Sequence, residues 1–344
     1  MKLLTYGHAQ STRCGVIKGD KVIDVSSLLE LDIQLKDVQA LLELDENILA
    51  KLKSALDQST SHDSILLSET TLFSPILQPP TIRDFMIFEE HATAQGTRER
   101  QEAWYRMPIF YFSNTLCVLG TENSFPHPDT CERLDYELEI ACIIGKEGRN
   151  IPASEAMQYI AGFCIFNDWS CRDIQADESS VGLGPAKGKD SASSLGPWMV
   201  TTDEMAPFLK EGRLHVKCSA KVNGVYWVKD SDAGVSYHTW GDMIERASKD
   251  SRIVPGDVLG CGTVGGGSIG EAIRKGVPEA RFLLPGDVVE MDVEGLGNLV
   301  GRIDPTDNPN PEYRYKVTSL PPIPERGIAK DYKYEFKNRS KIGD

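Results

Sequence analysis

The sequence predicts an α+β protein, mainly β. A small α/β unit over residues 1–75 precedes a strand-rich domain over 80–310 and an irregular tail over 311–344. Three observations lead there. From residue 109 to 303, short runs rich in β-branched and aromatic residues alternate with Gly and Pro turns, and long helical patterns are few. Between Asp24 and Leu56, by contrast, Leu, Val and Ile recur at helical spacing among acidic residues. Pro75, Pro79 and Pro80 form a stiff connector where one texture gives way to the other.

The elements follow in order. Val16–Ile23 reads as two strands around the Gly19-Asp20 turn, Asp24–Leu56 as one or two amphipathic helices, and Thr70–Phe73 as a further strand. Beyond the prolines, strands are expected over 109–118, 136–144, 160–166, 198–201, 214–228, 257–263 and 288–303. The clearest helix covers His238–Ser248, with a short one at Ser154–Met157. Many close-spaced strands with few helices predict a sandwich or barrel-like β domain.

Composition narrows the function classes. The 344 residues are 40% hydrophobic and 26% charged, as in ordinary globular proteins. The 51 acidic against 37 basic residues give a net charge of −14. That disfavours nucleic acid and anionic membrane surfaces, both of which need a basic face. No apolar run approaches the ~18 residues of a membrane span. The N-terminus MKLLTYGHAQSTRCG lacks the apolar stretch of a signal peptide, so a cytoplasmic protein is expected. The eight cysteines are scattered, with no C-x-x-C, which argues against structural zinc and a disulfide framework.

Five segments carry chemistry. In Leu134–Ile144, Glu137 and Glu139 occupy positions i and i+2 of an expected strand and project to one face, with Asp135 on the same face. They are either a solvated edge or a pair converging on a cation. The apolar continuation Ile140-Ala141-Cys142-Ile143-Ile144 reads as a central strand, where like charges need compensation. In Ile160–Gln175 an apolar strand runs out into Asn167-Asp168-Trp169. Asp168 is a ligand or a helix N-cap. Arg172 and Gln175, at i and i+3, are a surface pair or a carboxylate reader. In Ile82–Thr93, Asp84 is a ligand or a turn residue, and His91 is structural or catalytic. Gly184–Ser191 has two lysines but not the P-loop spacing, and taken alone reads as a solvated loop. Gly260–Gly267 contains G-x-G-x-x-G, yet Gly276 and Pro278 leave room for only a short helix. A tight turn beside a ligand is the better reading than a dinucleotide fingerprint.

Taken together, these segments resemble the fumarylacetoacetate hydrolase family over roughly Ile82–Ile303. Asp84-Phe85…His91-Ala92-Thr93 is similar to its D-F-x(5)-H-A-T segment. Leu134-Asp135-Tyr136-Glu137-Leu138-Glu139 is similar to its E-x-E strand. Asn167-Asp168-Trp169-Ser170-Cys171-Arg172-Asp173-Ile174-Gln175 is close to its long N-D-W-S-A-R-D-I-Q signature. Gly188-Lys189, Gly196-Pro197-Trp198 and Gly262-Thr263 complete the set.

The resemblance implies a mixed β-sandwich or roll for the C-terminal domain and a homodimer. It implies one divalent cation, Mg²⁺ first and Mn²⁺ or Ca²⁺ next, held by Asp84, Glu137, Glu139 and Asp168. His91 would activate water, oriented by a Glu for which Glu271 is the positional match, and Lys189 would add a cationic contact. Arg172, Gln175, Tyr111 and Thr263 would hold a small oxo-acid. The implied reaction is hydrolysis of a carbon–carbon bond in a 1,3-diketo acid through a metal-stabilised enolate. Decarboxylation or isomerisation of a 2-oxo acid on the same fold, and a non-catalytic ligand-binding module, are the alternatives. One departure bears on substrate. The Tyr that follows Asp-Phe in the animal enzyme is Met86 here, which removes a hydrogen-bond donor.

Overall fold

The computed structural model describes the chain except residues 9–10, 60–63, 98, 100, 308, 310–314, 318–334 and 338–344. Its spine is a twelve-stranded sheet. Across it the order is Ser64–Leu66, Lys21–Asp24, Ser11–Lys18, Lys2–His8, Ser193–Thr201, Ile160–Asp168, Leu138–Ile144, Val258–Gly260, Ile82–Phe85 and Phe110–Ser113. Leu72–Phe73 and Val118–Leu119 pair off this path. Most neighbours are antiparallel. Val258–Gly260 runs parallel to Ile82–Phe85, and Val118–Leu119 parallel to Ser193–Thr201. The sheet crosses the expected 75/80 boundary without a break, because Lys2 and Leu3 pair with Val200 and Met199.

Leu138–Ile144 is buried at all seven positions. Its alternation divides two cores. Ile140, Cys142 and Ile144 pack with Ala220, Val222, Met291, Val293 and Leu299 of a second sheet. Ala141 and Ile143 pack with Val38, Leu41 and Leu52 from the N-terminal helices. A strand covered on both faces needs apolar residues at successive positions, which is why this run is nearly continuous in sequence. Each buried Leu or Ile contributes about 1.5–3 kcal/mol.

The second sheet has five strands, ordered Val225–Asp232, Lys217–Val222, Val288–Val293, Gly297–Asp304 and Ser124–Pro126. The molecule is thus layered: N-terminal helices, long sheet, short sheet. Among the described residues it is mixed α/β with strands in the majority and no closed barrel. The predicted helix at 238–248 spans Trp240–Ser248, opened by a Thr239/Asp242 capping box. The region predicted as one or two helices forms three: Val25–Leu28, Val38–Leu42 and Ile48–Gln58. Of the predicted tail, Tyr315–Val317 and Glu335–Lys337 are described and pair antiparallel; the remainder lies outside the described residues. No described helix is long and apolar enough to cross a membrane.

Candidate active site and metal centre

Strand register brings distant carboxylates together. Tyr111 pairs with Asp84, Asp84 with Gly260, and Gly260 with Ala141. Asp84 is therefore level with Ala141, two residues from Glu139 on the same face. Between them Gly260 offers no side chain, and a Cβ there would lie 2.6 Å from Asp84 Oδ1. On the other flank Glu139 pairs with Phe166, two residues before Asp168. Glu137 lies just ahead of the Leu138–Ile144 strand and bridges to Ser268.

Asp84, Glu137, Glu139 and Asp168 consequently each offer an oxygen, all within 4.8 Å of one another, and all four are buried. The solvated-edge reading of Glu137 and Glu139 and the N-cap reading of Asp168 therefore fail. Cys171 is the residue that precedes the Arg172–Ser180 helix. Asp135 does not join the cluster. The strand breaks after it, and its carboxylate turns to Arg172 and the Ile269 amide.

The four carboxylates are not equally compensated. Glu137 accepts from Lys189 Nζ at 2.6 Å and Arg172 Nη2 at 2.7 Å. Burial alone would raise its carboxyl, but Arg172, Lys189 and His91 outweigh it and hold it well below the usual range. Asp168 bonds Lys189 and Tyr111. Glu139 accepts from the Gly262 amide at 2.9 Å, and Asp84 from the Tyr111 hydroxyl at 2.8 Å. Burial pushes Asp84 and Glu139 well above the carboxylate range, reinforced by Asp168 at the first and by Asp84 at the second. Lys189 is itself buried. Desolvation would lower it, but Asp168 and Glu137 hold it above the usual lysine value and charged.

A cation fits this set. Asp84 Oδ1, Glu139 Oε1 and Asp168 Oδ1 are buried and have no hydrogen-bond partner among the described residues. Buried carboxylate oxygens without donors are costly unless a ligand completes them. An all-oxygen donor set suits hard ions such as Mg²⁺, Mn²⁺ or Ca²⁺.

His91 and Glu271, 180 residues apart, meet here. His91 Nδ1 lies 3.2 Å from Glu271 Oε2, and His91 Nε2 lies 3.8 Å from Glu137 Oε1. Glu271 is fully buried and also accepts from Ser268 Oγ at 3.0 Å. Burial would raise its carboxyl, but the His91 hydrogen bond and charge lower it instead. Ser268 went unnoticed in the sequence. A serine ahead of a helix reads as a cap, yet here its hydroxyl holds Glu271.

The cavity beside the cluster has a volume of ≈ 230 Å³. It is lined by three of the four carboxylates and by His91, Arg172, Gln175, Lys189, Tyr111 and Thr263. Met86, Phe110 and Pro185 supply apolar wall. Arg172 Nη1 donates to Gln175 Oε1 at 3.0 Å, so the i, i+3 pair forms as the spacing predicts. Thr263 Oγ1 is buried without a partner among the described residues. The Gly-rich turn leads into only the six-residue Ile269–Arg274 helix, and its Gly262, at φ +85°, packs against the Phe85 carbonyl where a Cβ would clash at 2.4 Å. A larger groove of ≈ 990 Å³, lined by Tyr105, Arg213 and His238 among others, includes none of the predicted site residues.

Fold and site together define a protein with a buried acidic cluster able to hold a divalent cation beside a small polar cavity. The family model for the fumarylacetoacetate (FAA) hydrolase C-terminal domain matches residues 81–304, and the chain belongs to that family. It is 28% identical over 313 residues to the fumarylacetoacetate hydrolase domain-containing protein 2 homolog of Dictyostelium discoideum, covering 88% of this chain and 97% of that one. Among solved structures, it is similar to maleylpyruvate hydrolase from Sphingobium sp. SYK-6 in complex with manganese(II) and pyruvate. That match has a TM-score of 0.67 and 20% identity, over 89% of this chain and 100% of the other. It is also similar to 2-hydroxyhepta-2,4-diene-1,7-dioate isomerase from Mycobacterium marinum, with a TM-score of 0.62 and 18% identity over 89% and 98%. These structural likenesses speak to the shared fold.

Proposed function

We propose that this chain is a divalent-cation-dependent hydrolase that cleaves a carbon–carbon bond in a 1,3-diketo acid of the acylpyruvate type. The observation that carries the reading is the His91–Glu271 pair aimed at the carboxylate cluster. With Nδ1–H donated to Glu271, Nε2 keeps its lone pair on the cavity side and can take a proton from water. Glu271 fixes the ring and stabilises the imidazolium that forms, the part a buried carboxylate plays in hydrolytic triads. Decarboxylation of a 2-oxo acid needs neither a base nor water attack on a distal carbonyl. Tautomerisation also needs no water attack but moves a proton and can use the same pair, so product identity separates it from hydrolysis.

The chain's other groups take consistent parts. Arg172 and Gln175 receive the substrate carboxylate, the guanidinium by its planar fork. Thr263 Oγ1 and Lys189 Nζ face the oxo groups. Hydroxide generated by His91 attacks the distal carbonyl carbon. The bond between that carbon and the central carbon breaks, its electron pair passes to the pyruvate fragment as an enolate, and the proton on His91 returns to the products. When bound, the divalent cation, Mg²⁺ first, supplies Lewis-acid stabilisation of the negative charge on the oxo-acid oxygens. The pyruvate and manganese named for the Sphingobium relative support this assignment of ligand and ion class.

The test is a panel of acylpyruvates and oxaloacetate, with Mg²⁺ and with chelator, products identified by NMR. Metal-dependent formation of pyruvate and a carboxylic acid supports the reading. Carbon dioxide release, or an isomer without cleavage, replaces it with a decarboxylase or an isomerase. His91→Ala is expected to lower hydrolysis by about 10²- to 10⁴-fold with Mg²⁺ binding retained. Undiminished turnover would remove His91 as the base.

A further inference from the structure

Asp135 is fully buried two residues before Glu137, yet it faces away from the carboxylate cluster. Its Oδ2 accepts from Arg172 Nε at 2.8 Å. Its Oδ1 accepts from the backbone amide of Ile269 at 2.8 Å. Both oxygens are thereby committed.

These partners belong to two different helices: Arg172 lines the cavity, and Ile269 belongs to the helix that carries Glu271 behind His91. Arg172 opens the Arg172–Ser180 helix, with Gln175 one turn on. Ile269 opens the Ile269–Arg274 helix, whose first turn carries Glu271. That helix begins without a cap from its own Ser268, which bonds Glu271 instead. Asp135 satisfies the first amide in its place, and a negative charge is favourable at a helix start. A continuous chain of bonds therefore runs from Gln175 through Arg172, Asp135 and the helix start to Glu271 and His91.

We infer that Asp135 is a positioning residue which sets the carboxylate-binding Arg172 in register with the His91–Glu271 pair. It touches neither substrate nor cation. It fixes the distance between the group that anchors the oxo-acid and the base that activates the attacking water, and small errors in such distances are expensive in rate. The inference rests on the hydrolase reading for the roles of Arg172 and His91 and for its turnover measurements.

The experiment compares two variants with wild type at saturating Mg²⁺. Asp135→Asn keeps the shape but removes the charge facing Arg172. It is expected to lower kcat and raise KM for an acylpyruvate, each by about 10- to 100-fold, the usual cost of losing a supporting partner of a site. Mg²⁺ affinity stays near wild type. Ile269→Pro deletes the amide that donates to Asp135 and also exchanges the buried Ile269 side chain, so it is judged against an Ile269→Val control, which trims that side chain and keeps the amide. Proline suits the first helical position, and Ser268, at φ −130° and ψ 159°, already has the extended backbone a following proline requires. This variant is expected to lower kcat with KM held within about threefold, because the Arg172 side of Asp135 is untouched.

The inference is overturned if Asp135→Asn leaves both constants within about threefold of wild type, or if Ile269→Pro shifts KM as much as kcat. Should Asp135→Asn fail to fold, the Ile269→Pro split decides. If wild type turns over no member of the panel, the hydrolase reading fails separately. Asp135 is then read from oxalate binding to the Mg²⁺-loaded protein. A loss of about 10-fold in Asp135→Asn supports its role, and unchanged affinity removes it.

Discussion

Asp287 and Asp84 are both buried carboxylates, and the fold treats them in opposite ways. Asp287 lies at the foot of the Val288–Val293 strand with both oxygens bonded. Arg281 reaches them at 2.9 and 2.7 Å, Asn223 Nδ2 at 2.8 Å and the Leu284 amide at 2.7 Å. Burial would raise it, but the Arg281 bond and these donors bring its carboxyl below the usual range. Asp84 has one bond at one oxygen, none at the other among the described residues, and a carboxyl pushed well upward by burial. A carboxylate that holds the structure together has its donors folded around it. One kept for a ligand has them withheld, and its neighbours are other carboxylates.

The largest effect should come from breaking the orphaned set. Asp84→Asn is expected to lower turnover by on the order of 10³-fold and weaken Mg²⁺ binding in calorimetry. The unfolding midpoint in chelator should hold or rise, because Asp84 and Asp168 no longer repel. A midpoint lower by several degrees in chelator would place Asp84 with Asp287 as a structural group.

Adding the cation sharpens the contrast from the other side. At about 100 times its dissociation constant, Mg²⁺ or Mn²⁺ should stabilise the fold by about 2.7 kcal/mol, read from denaturant unfolding. The gain should vanish in Asp84→Asn and persist in Asp287→Asn. Equal gains in both variants would locate the ion elsewhere.

Removing the structural carboxylate has the converse signature. Asp287→Ala strands buried donors, including the Leu284 amide, and should cost about 1–3 kcal/mol of stability with or without metal. The kcat per folded molecule should stay unchanged.

The smallest effect is in the acid limb of stability. Asp287 is lowered in the folded state, so its contribution is present above its ordinary value of 3.8 and lost as pH falls through the folded value. Asp287→Asn should flatten unfolding midpoints in that window. A limb as steep as wild type would mean that other carboxylates carry it.

The chain itself carried a good deal of this. Period-two spacing placed Glu137 and Glu139 on one face, and the apolar run after them marked a central strand that could not leave them uncompensated. The long signature from Asn167 to Gln175 set Asp168 at a strand end and Arg172 beside Gln175 on a helical turn, and both geometries formed. These features depend on residues within a few positions of one another, where backbone periodicity decides which way side chains point.

Other features lay beyond that reach. The sequence grouped Asp135 with its neighbours at i+2 and i+4, but a strand break turned it to Arg172 and Ile269. It gave no sign that the first strands extend the sheet built by the rest, since a pairing such as Leu3 with Met199 leaves no local pattern. Glu271 could be matched to His91 only by position. What joins them is closure of the sheets, which brings the turn after Gly260 across the end of the Leu138–Ile144 strand. The sequence by itself determined which residues are ionisable and, within an unbroken strand or helical turn, which of them share a face. Tertiary structure alone decided which charges were given partners and which were left for a ligand, because partner assignment depends on distances set by packing across the whole sheet.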